Sequence, residues 1–148
     1  LNTVLGGYFG SRLMSNIREE KGYTYGIQSS VYTNLETGHM QISTQTANEY
    51  IDNVIAEIYK ELKLLCKEPI PNDELNIVKN YMIGSMARTL DGDFSRAGFY
   101  ISVNNYGMDI EEYVNTKLEV INSTTSDELK SLAQKYFGSK KMHQVIVG

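Results

Sequence analysis

Apolar residues at Leu13, Met14 and Ile17 mark one side of a short helix, opened by Ser11 as a plausible N-cap and closed at Gly22. Ahead of it, residues 1–5 read as the end of another helix, stopped by Gly6-Gly7. Glycine ends helices because it tolerates left-handed torsions and loses much entropy when ordered. After Gly22 the period changes. Tyr25, Ile27 and Val31 alternate with other residues over 23–33 and predict a strand with those three on one face. A turn over 34–38 leads to a second strand over 39–46, with Met40 and Ile42 facing in and His39, Gln41 and Ser43 facing out. So short a connection implies an antiparallel hairpin.

From Asn48, expected to act as a cap, the helical period returns. Ile51, Val54, Ile55, Ile58, Leu62 and Leu65 form a continuous apolar stripe to about Lys67, broken by Pro69-Ile70-Pro71. Asn72 opens a further helix to about Leu90, with Asp73 and Glu74 in the first turn, where the helix dipole favours carboxylates. Asp91-Gly92-Asp93 interrupts, and the next helix carries Phe94, Ala97 and Ile101 to a stop near Gly107. Residues 110–121 are helical again, and the capping box Thr125-Ser-Asp-Glu128 starts a last helix through Phe137. Gln144-Val-Ile-Val predicts a terminal strand.

The predicted class is α+β, an antiparallel sheet with helices packed on one face. A hairpin and one isolated strand are too little sheet to stand under so many helices. N-terminal strands are therefore expected from sequence beyond this chain or from another chain. The opening Leu-Asn-Thr-Val-Leu reads as a helix already under way, which predicts a piece of a longer protein. No repeat or low-complexity linker interrupts residues 1–148, which read as one domain.

Composition adds exclusions. The chain has 148 residues, 41% hydrophobic and 22% charged, with two prolines. That rules out a disordered tail, a collagen-like repeat and a small disulfide scaffold. No apolar run approaches the ~18 residues of a membrane span. Fourteen basic against eighteen acidic residues give a net charge of −4, a poor match for nucleic acid or an anionic membrane surface. The single cysteine, Cys66, sits at helical spacing among apolar residues and reads as a small core or boundary residue. His39 and His143 lie far apart, neither with a second ligand at metal-binding spacing, so no self-contained zinc site is expected.

The glycine-rich run Gly6-Gly7-Tyr8-Phe9-Gly10-Ser11 lacks the lysine of a phosphate loop. It reads as a turn between helices, whose glycines would also let a peptide backbone pass closely. Arg12, Arg18 and Lys21 lie on or just after one short helix, where Glu19 and Glu20 can pair with them. The step from Arg18 to Tyr25 carries more information. Arg18 is near the helix end, Gly22 permits a tight turn, and Tyr25 is on the following strand, so their tips can converge at the helix–strand corner. A guanidinium and a phenol are donors able to hold a carbonyl oxygen or a carboxylate. No Ser-His-Asp set, no carboxylate pair in an identifiable cleft and no complete zinc motif can be assembled.

Leu5-Gly6-Gly7, Ser11-Arg12-Leu13 and Arg18-Glu19-Glu20-Lys21-Gly22-Tyr23-Thr24-Tyr25 together resemble the pitrilysin/insulinase family of zinc metallopeptidases, which includes the mitochondrial processing peptidases. The match is to the family's second, "inactive" domain, with its pattern Leu-Gly-Gly, Ser-Arg-Leu, then Arg-Glu-x-x-Gly-x-x-Tyr. Pro71-x-x-Glu74-Leu75 with Lys79, Thr125-x-x-Glu128-Leu129 and the closing Val145-Ile146-Val147-Gly148 are similar to later family segments, in order. The resemblance implies a processing-peptidase-like fold with its first strand or strands missing, as part of a two-domain half-shell around a peptide chamber. It implies that zinc is held by the family's His-x-x-Glu-His motif in a partner domain or subunit, since this chain has no such motif. It implies an Arg/Tyr pair, Arg18 and Tyr25, that grips a peptide substrate beside the scissile bond, with Gly6, Gly7 and Arg12 in the neighbouring substrate-binding motif. The glycine loop is short here, whereas in processing peptidases it is long.

Three readings follow. The chain is the non-zinc half of an endopeptidase acting on peptides or unfolded segments; or a non-catalytic scaffold or partner subunit of the same family; or an interaction domain presenting a sheet edge.

Overall fold

A computed structural model describes residues 1–34, 36–138 and 142–148. The element order is α1 (Asn2–Gly6), a π-helical turn (Met14–Glu20), β1 (Thr24–Thr33), β2 (Gly38–Thr46), a 3₁₀ turn (Asn48–Tyr50), α2 (Ile51–Lys67), α3 (Asn72–Asp91), α4 (Asp93–Asn105), α5 (Ile110–Ser123) and α6 (Ser126–Phe137). The class is α+β, with a two-stranded antiparallel sheet. Two compact units are distinguishable: Leu1–Ile70 with Asp127–Gly148, and Pro71–Ser126.

In the first unit, α1 and the π-helical turn lie on the sheet face that carries Ile27 and Ser29. The α1 end comes so close that a Cβ on Gly6 would stand 2.7 Å from both the backbone nitrogen and the Oγ of Ser29. Glycine is the residue that allows this approach. Val4, Leu5, Leu13, Met14, Ile17 and Ile27 are buried here, joined by Val54, Ile58, Leu62 and Leu65 of the α2 stripe. α6 adds Leu129 and Ala133. Cys66 is half-buried; its thiol donates to the Ala133 carbonyl at 3.3 Å, and burial raises its pKa. Gln134 Nε2 donates to the Cys66 carbonyl at 3.0 Å, fastening α6 to α2 a second time.

The second unit is the three helices α3, α4 and α5, with Leu75, Val78, Met86, Val103 and Ile121 buried. Asp109 caps α5 by accepting from the Glu112 amide at 2.9 Å, and Lys79 Nζ donates to the Asn122 carbonyl at 2.8 Å. Phe94 and Ile101 on α4 face water.

Four local expectations change. The helix after Ser11 widens into a π-helical turn, although Leu13, Met14 and Ile17 are buried as its spacing predicts. Asn48 makes no side-chain cap; a 3₁₀ turn leads into α2 instead. Residues 142–148 form no strand, and Val145, Ile146 and Val147 are exposed, because neither strand of the hairpin pairs with them. Tyr25, Ile27 and Val31 do not share a buried face: Ile27 is 3% exposed, Val31 55% and Tyr25 99%.

Candidate functional site

The position of Tyr25 follows from the start of the hairpin ladder. Thr24 pairs with Thr46 and Ile27 with Thr44, so Tyr25 and Gly26 together stand opposite Gln45. One extra residue in a strand is a β-bulge, which re-aims the side chains around it. Without it, alternation would put Tyr25 on the Ile27 face. With it, Thr24 and Ile27 both turn inward and Tyr25 turns out.

Thr24 fastens the bulge. Its buried hydroxyl lies 2.6 Å from the Gln45 carbonyl, to which it donates, and accepts from the Gly26 amide at 3.1 Å. The Thr44 hydroxyl donates to the Gly26 carbonyl at 2.9 Å. The Ile27 amide, just past the bulge, reaches Met14 Sδ at 3.4 Å. Thr24 was not a candidate from sequence; a glycine inside a strand is the signal that a bulge is there.

Arg18 is placed by the turn on the other side. Gly22 has φ +65° and ends the helical segment, its amide donating to the Arg18 carbonyl at 3.1 Å. This is the left-handed closure that glycine favours. The chain reverses, and the Tyr23 amide donates back to the Ile17 carbonyl at 3.0 Å. Arg18 and Tyr25 then line one open depression of about 630 Å³, together with Glu19, Gly22, Tyr23, Thr24, Gln45, Thr46, Ala47 and Tyr50. The Tyr23 and Tyr50 rings stack at 4.9 Å in that wall.

The guanidinium of Arg18 is held on two sides. Its Nη1 donates to the Glu19 carboxylate, and its Cζ lies 4.8 Å over the Phe9 ring. Of its five N–H donors, that ion pair uses one. The Tyr25 hydroxyl has no hydrogen-bond partner among the described residues. The depression thus presents one oriented cation and one free phenol, both able to donate to a carbonyl oxygen.

The other sequence candidates lie elsewhere. Gly6 and Gly7 are at the end of α1, where a Cβ would meet Ser29 or, for Gly7, the Thr3 Cα at 2.7 Å; neither lines the depression. Arg12 is half-buried and is not in the lining. His39 stacks on Tyr32 across the hairpin at 5.0 Å. Among the described residues, no three of His, Cys, Asp and Glu come together as a metal site, and no helix is long and apolar enough to cross a membrane.

Residues 1–82 match the family model described as the peptidase M16 inactive domain. An uncharacterised zinc protease of Bacillus subtilis, YmxG, is 27% identical over 140 residues, covering 93% of this chain and 33% of the relative. A Helicobacter pylori protein named a non-peptidase homologue is 33% identical over 88 residues, covering 55% of this chain and 19% of its own length. Among solved structures, a peptidase M16 inactive domain from Pseudomonas fluorescens superposes with TM-score 0.78 at 25% identity, over 90% of this chain and 32% of that one. A Helicobacter pylori protease shares the fold, with TM-score 0.80 at 19% identity, over 92% of this chain and 33% of that one. The chain spans about a third of the length of the Bacillus relative. With the helix–strand corner, its glycine closure and this agreement in sequence and fold, the chain belongs to the peptidase M16 inactive-domain family of zinc-protease-like proteins.

Proposed function

We propose that this chain is the substrate-gripping, non-zinc half of a zinc-dependent endopeptidase that cleaves peptides or unfolded segments. The observation that carries the reading is that Arg18 and Tyr25 line one depression, with the Tyr25 phenol fully exposed and unengaged. Zinc belongs to a partner domain or subunit of the same family, which is also this chain's main partner. What this chain adds is donors. Tyr25 donates to the scissile carbonyl oxygen as that oxygen gains negative charge, a stabilisation greatest in the transition state. Arg18, held by Glu19 and Phe9, donates to a neighbouring carbonyl and fixes the peptide's register. Because Glu19 offsets its charge, Arg18 suits a neutral backbone carbonyl, as in the middle of a chain, better than a terminal carboxylate.

Tyr25→Phe tests this cleanly. The side chain is 99% exposed, so the fold does not depend on its hydroxyl. In the full-length protein, or its pair with the zinc-bearing subunit, turnover of a quenched fluorogenic peptide should fall about a hundredfold, the worth of one such donor, roughly 3 kcal/mol. Zinc content should not change. Undiminished cleavage would remove Tyr25 from the mechanism.

A second reading has one observation in its favour: the Helicobacter pylori relative is named a non-peptidase homologue. On that reading the depression holds a peptide and no bond is cut. Peptide binding without turnover in the full-length protein, with no His-x-x-Glu-His upstream, would select it.

A further inference from the structure

The π-helical turn that carries Arg18 is tied to α2 by a polar clasp. Asn16 is 8% exposed, and its Nδ2 donates to Glu57 Oε2 at 2.9 Å and to Glu61 Oε1 at 2.7 Å. Glu61 is itself 8% exposed. Lys21 Nζ lies 3.6 Å from Glu57 Oε1, and Lys60 Nζ 3.2 Å from Glu57 Oε2. Met14 Sδ anchors the start of the turn to the Ile27 amide of β1.

This clasp depends on the widened helix. The Lys21 amide donates to the Asn16 carbonyl at 3.1 Å, a step of five residues. That step stacks positions 16 and 21 on one side of the axis, so both reach Glu57. In an α-helix, residues five apart diverge by roughly 140°, and one of the two would lose the carboxylate. Arg18, two positions beyond Asn16, leaves the opposite side of the axis, towards the depression. π-turns are uncommon and are frequently found at functional sites.

The clasp is a costly way to pack a helix. It buries a carboxylate, brings a second beside it and leaves Asn16 Oδ1 without a partner among the described residues. Apolar side chains would fill the space with less penalty, whereas polar pairs of this kind fix one orientation. We propose that Asn16, clasped by Glu57 and Glu61, is a positioning residue that sets the aim of Arg18 by holding the π-helical turn against α2; this rests on the reading of the depression as a peptide site.

The test is a double-mutant cycle in the full-length protein, with anisotropy of a dye-labelled, unstructured peptide as the readout. Arg18→Ala should weaken binding by about ten- to a hundredfold, the range for a charged hydrogen-bond donor. Asn16→Ala should weaken binding about tenfold when Arg18 is present and less than about twofold in the Arg18→Ala background, since coupled residues are non-additive. Glu57→Ala, which leaves Asn16 one carboxylate, should show the same dependence on Arg18 and serves if Asn16→Ala does not fold. Equal weakening in both backgrounds would reduce the clasp to general stability and overturn the proposal. So would unchanged binding in both clasp variants while Arg18→Ala still weakens it. Indifference of binding to Arg18→Ala would overturn the peptide-site reading, and this inference with it.

Discussion

Thr24→Val removes one oxygen from the bulge and nearly nothing else. Valine has the shape of threonine, so no cavity opens and the β-propensity is kept. Two hydrogen bonds are lost, the one to the Gln45 carbonyl at 2.6 Å and the one from the Gly26 amide at 3.1 Å. A third group, the Thr44 hydroxyl, loses its 2.9 Å neighbour but keeps the Gly26 carbonyl. At about 1 kcal/mol net for each lost bond, the bulge should be destabilised by about 2 kcal/mol. That is roughly a thirtyfold increase in local opening. Amide hydrogen exchange reads it at Ile27, whose own acceptor, Met14 Sδ, is untouched: protection there should fall by about that factor, while the middle of α2 keeps its own. Unchanged protection over residues 24–28 would mean that the hydroxyl does not fasten the bulge, and that Tyr25 owes its outward aim to something else.

Two further outcomes can be checked. Gly6→Ala places a methyl 2.7 Å from the Ser29 backbone nitrogen, so α1 must retreat from β1; unfolding should become easier by about 1–3 kcal/mol, whereas Gly26→Ala, with nothing within 4 Å, should not show this steric loss. Glu57 has its pKa lowered by the Asn16 hydrogen bond first, then by Lys60 and Lys21, against a desolvation that raises it. Its ionised form is therefore favoured by folding; that contribution is complete above the ordinary carboxylate value of about 4.3 and fades as pH falls through the lower folded value. The stability gap between the native protein and Glu57→Gln should shrink below about pH 4, and a gap of constant size down to pH 3 would show that the carboxylate charge is not what the clasp uses.

Much of the corner was legible beforehand because it is built from local signals. A glycine that ends a helix and a strand that follows at once are enough to set positions 18 and 25 along one depression. The α2 stripe was legible because burial there is one-sided and regular. The outward turn of Tyr25 was not, since an alternating pattern assumes an unbroken ladder and a bulge is settled by the partner strand at Gln45. The π-turn was hidden for a similar reason. Leu13, Met14 and Ile17 fit an α-helix well enough, and the widening is tied to carboxylates forty and more positions away. The stretch 144–147 has strand composition, but a strand is a relation between two segments, and among the described residues no strand pairs with it.

Tyr25 touches almost nothing of its own protein. On the proposed reading, a residue with so little stake in the architecture can be gained or lost without disturbing it, and a single codon would then separate a chain able to assist chemistry from one that only assembles. Enzymes and inert cousins could then share one blueprint.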